Sequence, residues 1–249
     1  MNNYDYNLDE LNAKRSGYQP YQPIDTERSL SSYVSRVMRS VYARMFLGLL
    51  VTAFTSLFIA GNQTLVTAIF GSKFLFFGLM IAELGVVIVL SSMINKLSSA
   101  TAALLFYLYA ILNGVVLTSI LFVYSPAAIF KTFLITAGTF GAMSIYGYTT
   151  KQDLSKIGSY LVMALIGLIV CSIVNIFLQS TGFDWAISLL GVAIFVGLTA
   201  WDTQKIKAMA MATDEENVGK LATMGALSLY LDFINLFLYL LRLLGKAKN

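Results

Sequence analysis

Histidine is absent from this chain of 249 residues. That excludes imidazole-ligated zinc, a Ser-His-Asp triad and a histidine pH switch, so any titration between about pH 5 and 8 must use a carboxylate in an unusual setting. Cysteine occurs once, as Cys171 in an apolar run. An intramolecular disulfide and most thiolate metal sites are therefore excluded, and the residue reads as a small buried hydrophobe. Charge is scarce: 12% of residues are Asp, Glu, Lys or Arg, about half the share of an ordinary soluble domain. The net charge of +4 is not a nucleic-acid signal, because the basic residues punctuate apolar runs instead of building one basic face. The opening lacks the basic-then-apolar pattern of a secretory signal. There is no internal repeat, which argues against an inverted-repeat transporter.

What is present is hydrocarbon. Apolar residues make up 57% of the chain, and the mean hydropathy is +0.73. Seven apolar runs, at roughly 45–60, 74–90, 100–123, 129–148, 158–178, 185–205 and 221–243, each approach the ~20 residues that span a bilayer. The expected fold is all-α: a polytopic membrane protein with seven transmembrane helices. Residues 1–35 are polar, with Pro20 and Pro23, and read as a disordered cytosolic tail; 36–249 form the membrane domain. Tyr33 to Arg44, with Arg36 and Arg39, either lies on the membrane surface as an amphipathic helix or leads directly into the first span. Most Lys and Arg fall on the side of the amino terminus, which is therefore expected in the cytosol. Seven spans then put Arg242, Lys246 and Lys248 outside, against the charge rule. The alternative is a last segment that re-enters.

Three carboxylates interrupt these runs: Glu83, Asp202 and Asp232. A carboxylate at membrane depth costs several kcal/mol at least and is placed against a cavity, a partner or a proton. No Lys or Arg lies deep enough to neutralise them. Two aspartates close together in a low dielectric do not both ionise cheaply, so they share a proton or hold a cation. Calcium suits such an oxygen site, because it accepts irregular geometry. Asn235 lies three residues after Asp232, on the same helical face, and its amide extends the site. Simpler alternatives stand beside each residue. Asp202 pairs with Lys205 one turn on; Asp232 is a protonated interhelical donor; Glu83 is either a pathway group or a neutral acid bonded to a helix carbonyl. By counting, Asp232 sits deeper than Asp202. Asp153, between Lys151 and Lys156, reads as a solvated turn. Gly138, Gly141, Gly191 and Gly197 read as points of close helix approach.

Three stretches carry a resemblance: Ser144-Ile-Tyr-Gly-Tyr-Thr-Thr-Lys-Gln-Asp-Leu-Ser155, Gly197-Leu-Thr-Ala-Trp-Asp-Thr-Gln-Lys-Ile206, and Ala226-Leu-Ser-Leu-Tyr-Leu-Asp-Phe-Ile-Asn-Leu-Phe237, which continues to Arg242. With the seven spans they resemble the Bax-inhibitor family, the transmembrane Bax-inhibitor-motif proteins, over about residues 30–245. The resemblance implies a seven-helix bundle with a central last helix. It also implies a pH-sensitive calcium leak in a bacterial inner membrane, gated by an aspartate on the sixth helix and one on the seventh, by motif Asp202 and Asp232. No cofactor is implied; calcium is the permeant ion and, with the lipid bilayer, the expected partner. The family often has an arginine near the end of the second helix. This chain has Met93 there, so an arginine latch on the sixth-helix aspartate does not carry over. The resemblance equally allows a non-enzymatic regulator of a membrane protease or stress machinery, contacted through residues 1–35. An intramembrane aspartyl protease is disfavoured, because neither aspartate follows a Gly-x-Gly sequence.

Tyr230 to Leu241 contains neither glycine nor proline to turn a re-entrant segment, which favours a full last span. A cysteine in place of Asn249, in a Cys171→Ala background, is expected to react with a membrane-impermeant maleimide on intact cells. Labelling only after lysis would overturn the seven-span topology.

Overall fold

The computed structural model describes residues 26–94 and 96–245. Residues 1–25, with most of the polar tail, lie outside the described residues, as do Lys246 and Lys248. Among the described residues, eight α-helices follow one another: α1 (Thr26–Ala60), α2 (Gln63–Phe70), α3 (Lys73–Met93), α4 (Ser99–Val123), α5 (Pro126–Thr149), α6 (Ser155–Leu178), α7 (Thr181–Met211) and α8 (Val218–Leu244). A 3-10 turn, Glu215–Asn217, leads into α8. Seven are long and apolar enough to cross a membrane. The membrane bundle belongs to the unit Val37–Asn249.

Local chemistry explains where the helices start. Ser72, Ser98, Ser125 and Ser180 each accept a hydrogen bond from the amide three residues on, at 3.1–3.3 Å. Such caps satisfy a donor that the first helical turn leaves free. Asn62 does the same for α2 through the amides of Thr64 and Leu65. That short helix, absent from the expected elements, sits in the connection after the first span. The sequence reading is corrected at two further places. Residues 26–35, assigned to the tail, are helical, and Tyr33 to Arg44 is not a separate surface helix but part of α1. Helix α7 continues past Lys205 to Met211.

The side chains facing outward show what surrounds the bundle. Phe74 is 93% exposed and Phe177 83%, and apolar surface of this extent on every peripheral helix requires lipid. By contrast, 67% of the most apolar stretch of α8 is buried, against 6% in α3 and in α6. The last helix is the core. It is unbroken for 27 residues, about 40 Å at 1.5 Å per residue, which suffices for a full crossing. Tyr230 is completely buried between Phe106 and Tyr109 of α4, ring centroids 5.7 and 5.6 Å away. Phe233 meets Phe140 of α5 at 5.4 Å. At its start α8 is fixed by Arg44 of α1, whose guanidinium donates to the Gly219 carbonyl at 2.6 Å and to the Thr223 hydroxyl.

Glycines set the closest helix approaches, but only some of those expected. A Cβ at Gly191 would stand 2.6 Å from the Tyr239 ring and one at Gly197 2.6 Å from Leu161, whereas Gly138 and Gly141 have nothing within 4 Å. The last two face outward. The tightest contact with backbone is at Gly147, where a Cβ would come 2.1 Å from the Ala200 carbonyl oxygen, so α5 and α7 touch backbone to backbone. Gly147→Val is expected to separate these helices and destabilise the protein by about 1–3 kcal/mol, read as a lower Tm in detergent. Gly138→Val should leave Tm unchanged, and equal values for the two variants would contradict this packing.

Candidate functional site

The three sequence motifs meet at one end of α7. Gln204 reaches from α7 to the α5–α6 connection in both directions: its Oε1 accepts from the Leu154 amide at 2.8 Å and its Nε2 donates to the Gln152 carbonyl at 2.7 Å. Lys207 donates to the Tyr148 carbonyl at 2.7 Å and lies over the Tyr148 ring. The connection is thus satisfied by α7 side chains, as exposed backbone near a membrane surface requires. Asp153 accepts from the Ser155 amide at 2.9 Å. The Ser155 hydrogen bonds hold its exposed carboxyl below the ordinary range, so it is ionised and structural, as a solvated turn should be. Gly158, the first residue of α6 to face α7, lies flat against the Trp201 ring; a Cβ there would be 2.2 Å from it.

Held this way, α7 turns Asp202 inward. Asp202 and Asp232 both line a cavity of about 340 Å³ between α6, α7 and α8, together with Ser228 and Asn235. They are close enough to act on each other electrostatically. The apparent mismatch in depth shrinks because α7 is longer than its apolar run: Asp202 lies nine residues inside the end of α7, and Asp232 fourteen inside the start of α8. Asp232 is 4% exposed, and its Oδ2 has no hydrogen-bond partner. A buried polar atom left so costs of the order of 1–3 kcal/mol, which marks a place for a proton or a cation. Lys205 is near enough to influence Asp202, but no ion pair joins them; its ammonium lies over the Trp201 ring, 4.8 Å from the centroid. Asn235 donates to the Leu231 carbonyl at 2.8 Å, which leaves its Oδ1 as an acceptor. Among the described residues no group of three or more His, Cys, Asp or Glu is placed to hold a metal. A cation here would meet two carboxylates and neutral oxygens, a weak set for calcium.

Glu83 does not belong to this cavity. The Asn113 amide donates to its Oε1, and Tyr109 also reaches it. The Tyr230 hydroxyl donates to the Asn113 Oδ1 at 3.1 Å and lies 2.6 Å from the Thr52 hydroxyl. Thr52 in turn reaches the Ala110 carbonyl at 2.9 Å. This polar chain links α3, α4, α8 and α1. Met93 is 42% exposed at the end of α3 and does not line the aspartate cavity.

With that geometry established, similarity to known proteins identifies the architecture. The family described as "Inhibitor of apoptosis-promoting Bax1" matches residues 34–249. The chain belongs to the Bax-inhibitor family. The inner membrane protein YbhL of Escherichia coli K12 is 50% identical over 214 residues, covering 85% of this chain and 92% of YbhL. A Borreliella burgdorferi protein is 46% identical over 217 residues, 86% of this chain and 94% of its own length. The Rickettsia prowazekii protein RP147 is 42% identical over 215 residues, 86% and 91% of the two chains. Family membership and seven apolar helices together make this an integral membrane protein.

In this Bax-inhibitor protein the polar chain around Tyr230 escaped sequence reasoning. Asn113 in the apolar run of α4 was the available signal; Tyr230 and Tyr109 look like any other membrane tyrosines. Tyr230→Phe keeps the rings against Phe106 and Tyr109 but leaves the Asn113 Oδ1 without its donor. It is expected to cost about 1–3 kcal/mol in thermal or denaturant unfolding. A variant as stable as the parent would show that this chain does not hold α8.

Proposed function

We propose that this protein is a calcium leak channel of the bacterial inner membrane, controlled by the protonation of Asp202 and Asp232. The observation that carries this reading is the orphaned Oδ2 of Asp232, buried beside a second carboxylate with no ion-paired base. When the pair holds a proton, the cavity carries one negative charge in place of two. When the proton leaves, two like charges remain in a low dielectric. They either move apart or take a hard cation. A site of two carboxylates with neutral oxygens binds weakly enough to release the ion again, which conduction needs. No nucleophile activated by a base is used in this reading, so the protein acts as a conduit and not as an enzyme. Its relative YbhL is named an inner membrane protein, and the distribution of Lys and Arg along the sequence supports a cytosolic amino terminus.

The test is calcium release from loaded liposomes carrying the purified protein, measured across pH. Flux is expected to rise as pH increases through the titration of the pair. Asp202→Asn and Asp232→Asn should each reduce it roughly tenfold or more and flatten the pH profile. Parental titration in both single variants would overturn the shared-proton gate. Absence of flux at every pH would favour the regulator of a membrane protease instead.

A further inference from the structure

Three cavities follow one another along α7; the second and third lie at its seam with α6 and α8, and the first lies between the end of α7 and the α5–α6 connection. The first, about 690 Å³, opens at the end of α7 among Lys151, Asp153, Gln204 and Lys205. The second is the aspartate cavity of about 340 Å³. The third, about 320 Å³, lies at the opposite end of α7 among Ser172, Asn175, Asp184 and Arg242. Trp201 lines both the first and the second. Tyr239 lines the second, and Arg242 of the third lies over its ring, 5.7 Å from the centroid.

The two boundaries are built alike. Trp201 rests on Gly158, where a Cβ would be 2.2 Å from the ring, and carries Lys205 on it. Tyr239 rests on Gly191, where a Cβ would be 2.6 Å away, and carries Arg242; Phe195 stacks on it at 5.8 Å and 25°. Each ring therefore lies against a glycine and carries a cation. The α8 surface agrees with a continuous lane, since Ser228, Leu231, Asn235, Tyr239 and Arg242 form a half-buried or exposed stripe at helical spacing, with buried residues such as Leu229, Phe233 and Leu236 between them.

We infer that the aspartate cavity is the middle chamber of an ion path along the α6–α7–α8 seam, closed by Trp201 under Lys205 at one end and by Tyr239 under Arg242 at the other. This rests on the channel reading and names its barrier residues. Each aromatic ring excludes water from the chamber, and the cation over it pins the ring. Lys205 also repels an approaching cation, whereas Arg242 is ion-paired with Asp184 at 3.8 Å, so its part is to hold the ring. An ion passes when a ring swings away from its glycine. Opening one ring at a time lets the carboxylates exchange a proton or an ion with one side only.

The full-length protein in liposomes tests this with Ser228→Cys, a probe in the middle chamber, in a Cys171→Ala background. Trp201→Ala and Tyr239→Ala are each expected to speed its reaction with a water-soluble methanethiosulfonate. They should also raise calcium flux roughly five- to tenfold; Trp201→Phe should restore most of the barrier. Lys205→Gln, which keeps the ring in place, should give a smaller rise and guards against misfolding of the alanine variants. A cysteine at Gln63, exposed in the connection after the first span, should react at the same rate in all of them. Unchanged Ser228→Cys labelling in the ring variants would overturn the path. So would parental flux that depends on Asp202 yet is untouched by full modification of Ser228→Cys, and that result would leave the channel reading standing. Faster labelling in a protein that passes no calcium would uphold the lane and defeat the channel.

Discussion

The structure depends on one constraint: a carboxylate at mid-membrane cannot itself face lipid. α8 holds Asp232 and Asn235 within 27 residues, and an unsatisfied acid in hydrocarbon is among the most costly groups a membrane helix can expose. Surrounding it solves the problem. The other helices form a shell whose outer faces are almost purely apolar and whose inner faces supply rings, hydroxyls and one amide. Burial of α8 is therefore a consequence of its polar residues as much as of its apolar ones.

Polar contacts within that shell divide into two sets with different properties. On the α1, α3 and α4 side the groups are matched: Glu83, Asn113, Tyr230 and Thr52 each have a partner. A fully satisfied network in a low dielectric is rigid. On the α6 and α7 side Asp232 lacks a partner for one oxygen, and the space beside it is a cavity. One face of α8 is a fastening, the other a place where chemistry is left open. The arrangement puts a matched network and an unmatched carboxylate on opposite sides of a single helix.

Much of this was legible in the sequence, for physical reasons. Long apolar runs have few alternatives to spanning a bilayer, so the seven spans and their order could be read directly. Asp202 and Asp232 stood out because charge is rare in such runs, and they do line one cavity. What could not be read is helix rotation. Glu83 is as unusual in sequence as the aspartates, yet α3 turns it toward Asn113 and away from them. Gly138 and Gly141 read as packing points but meet nothing within 4 Å, while Gly147, inside the first motif, and Gly158, just after it, make tight contacts with α7. Periodicity says which residues share a face; it does not say where that face points. The extent of α7 was missed because Asp202, Gln204, Lys205 and Lys207 interrupt the apolar run without ending the helix.

The thin attachment of α6 has a mechanical consequence. Its most apolar stretch is 6% buried, and its 24 residues make a rod of about 36 Å in a hydrocarbon layer of about 30 Å. Such a rod tilts to fit, and the tilt follows bilayer thickness. α8 is the hub, pinned by Tyr230 on its far side; α6 is the rim, resting on α7 and bathed in lipid elsewhere. Thickness, tension and sterol-like stiffening of the bilayer therefore act on the same seam that the aspartates face, and the lipid becomes a working part of the protein.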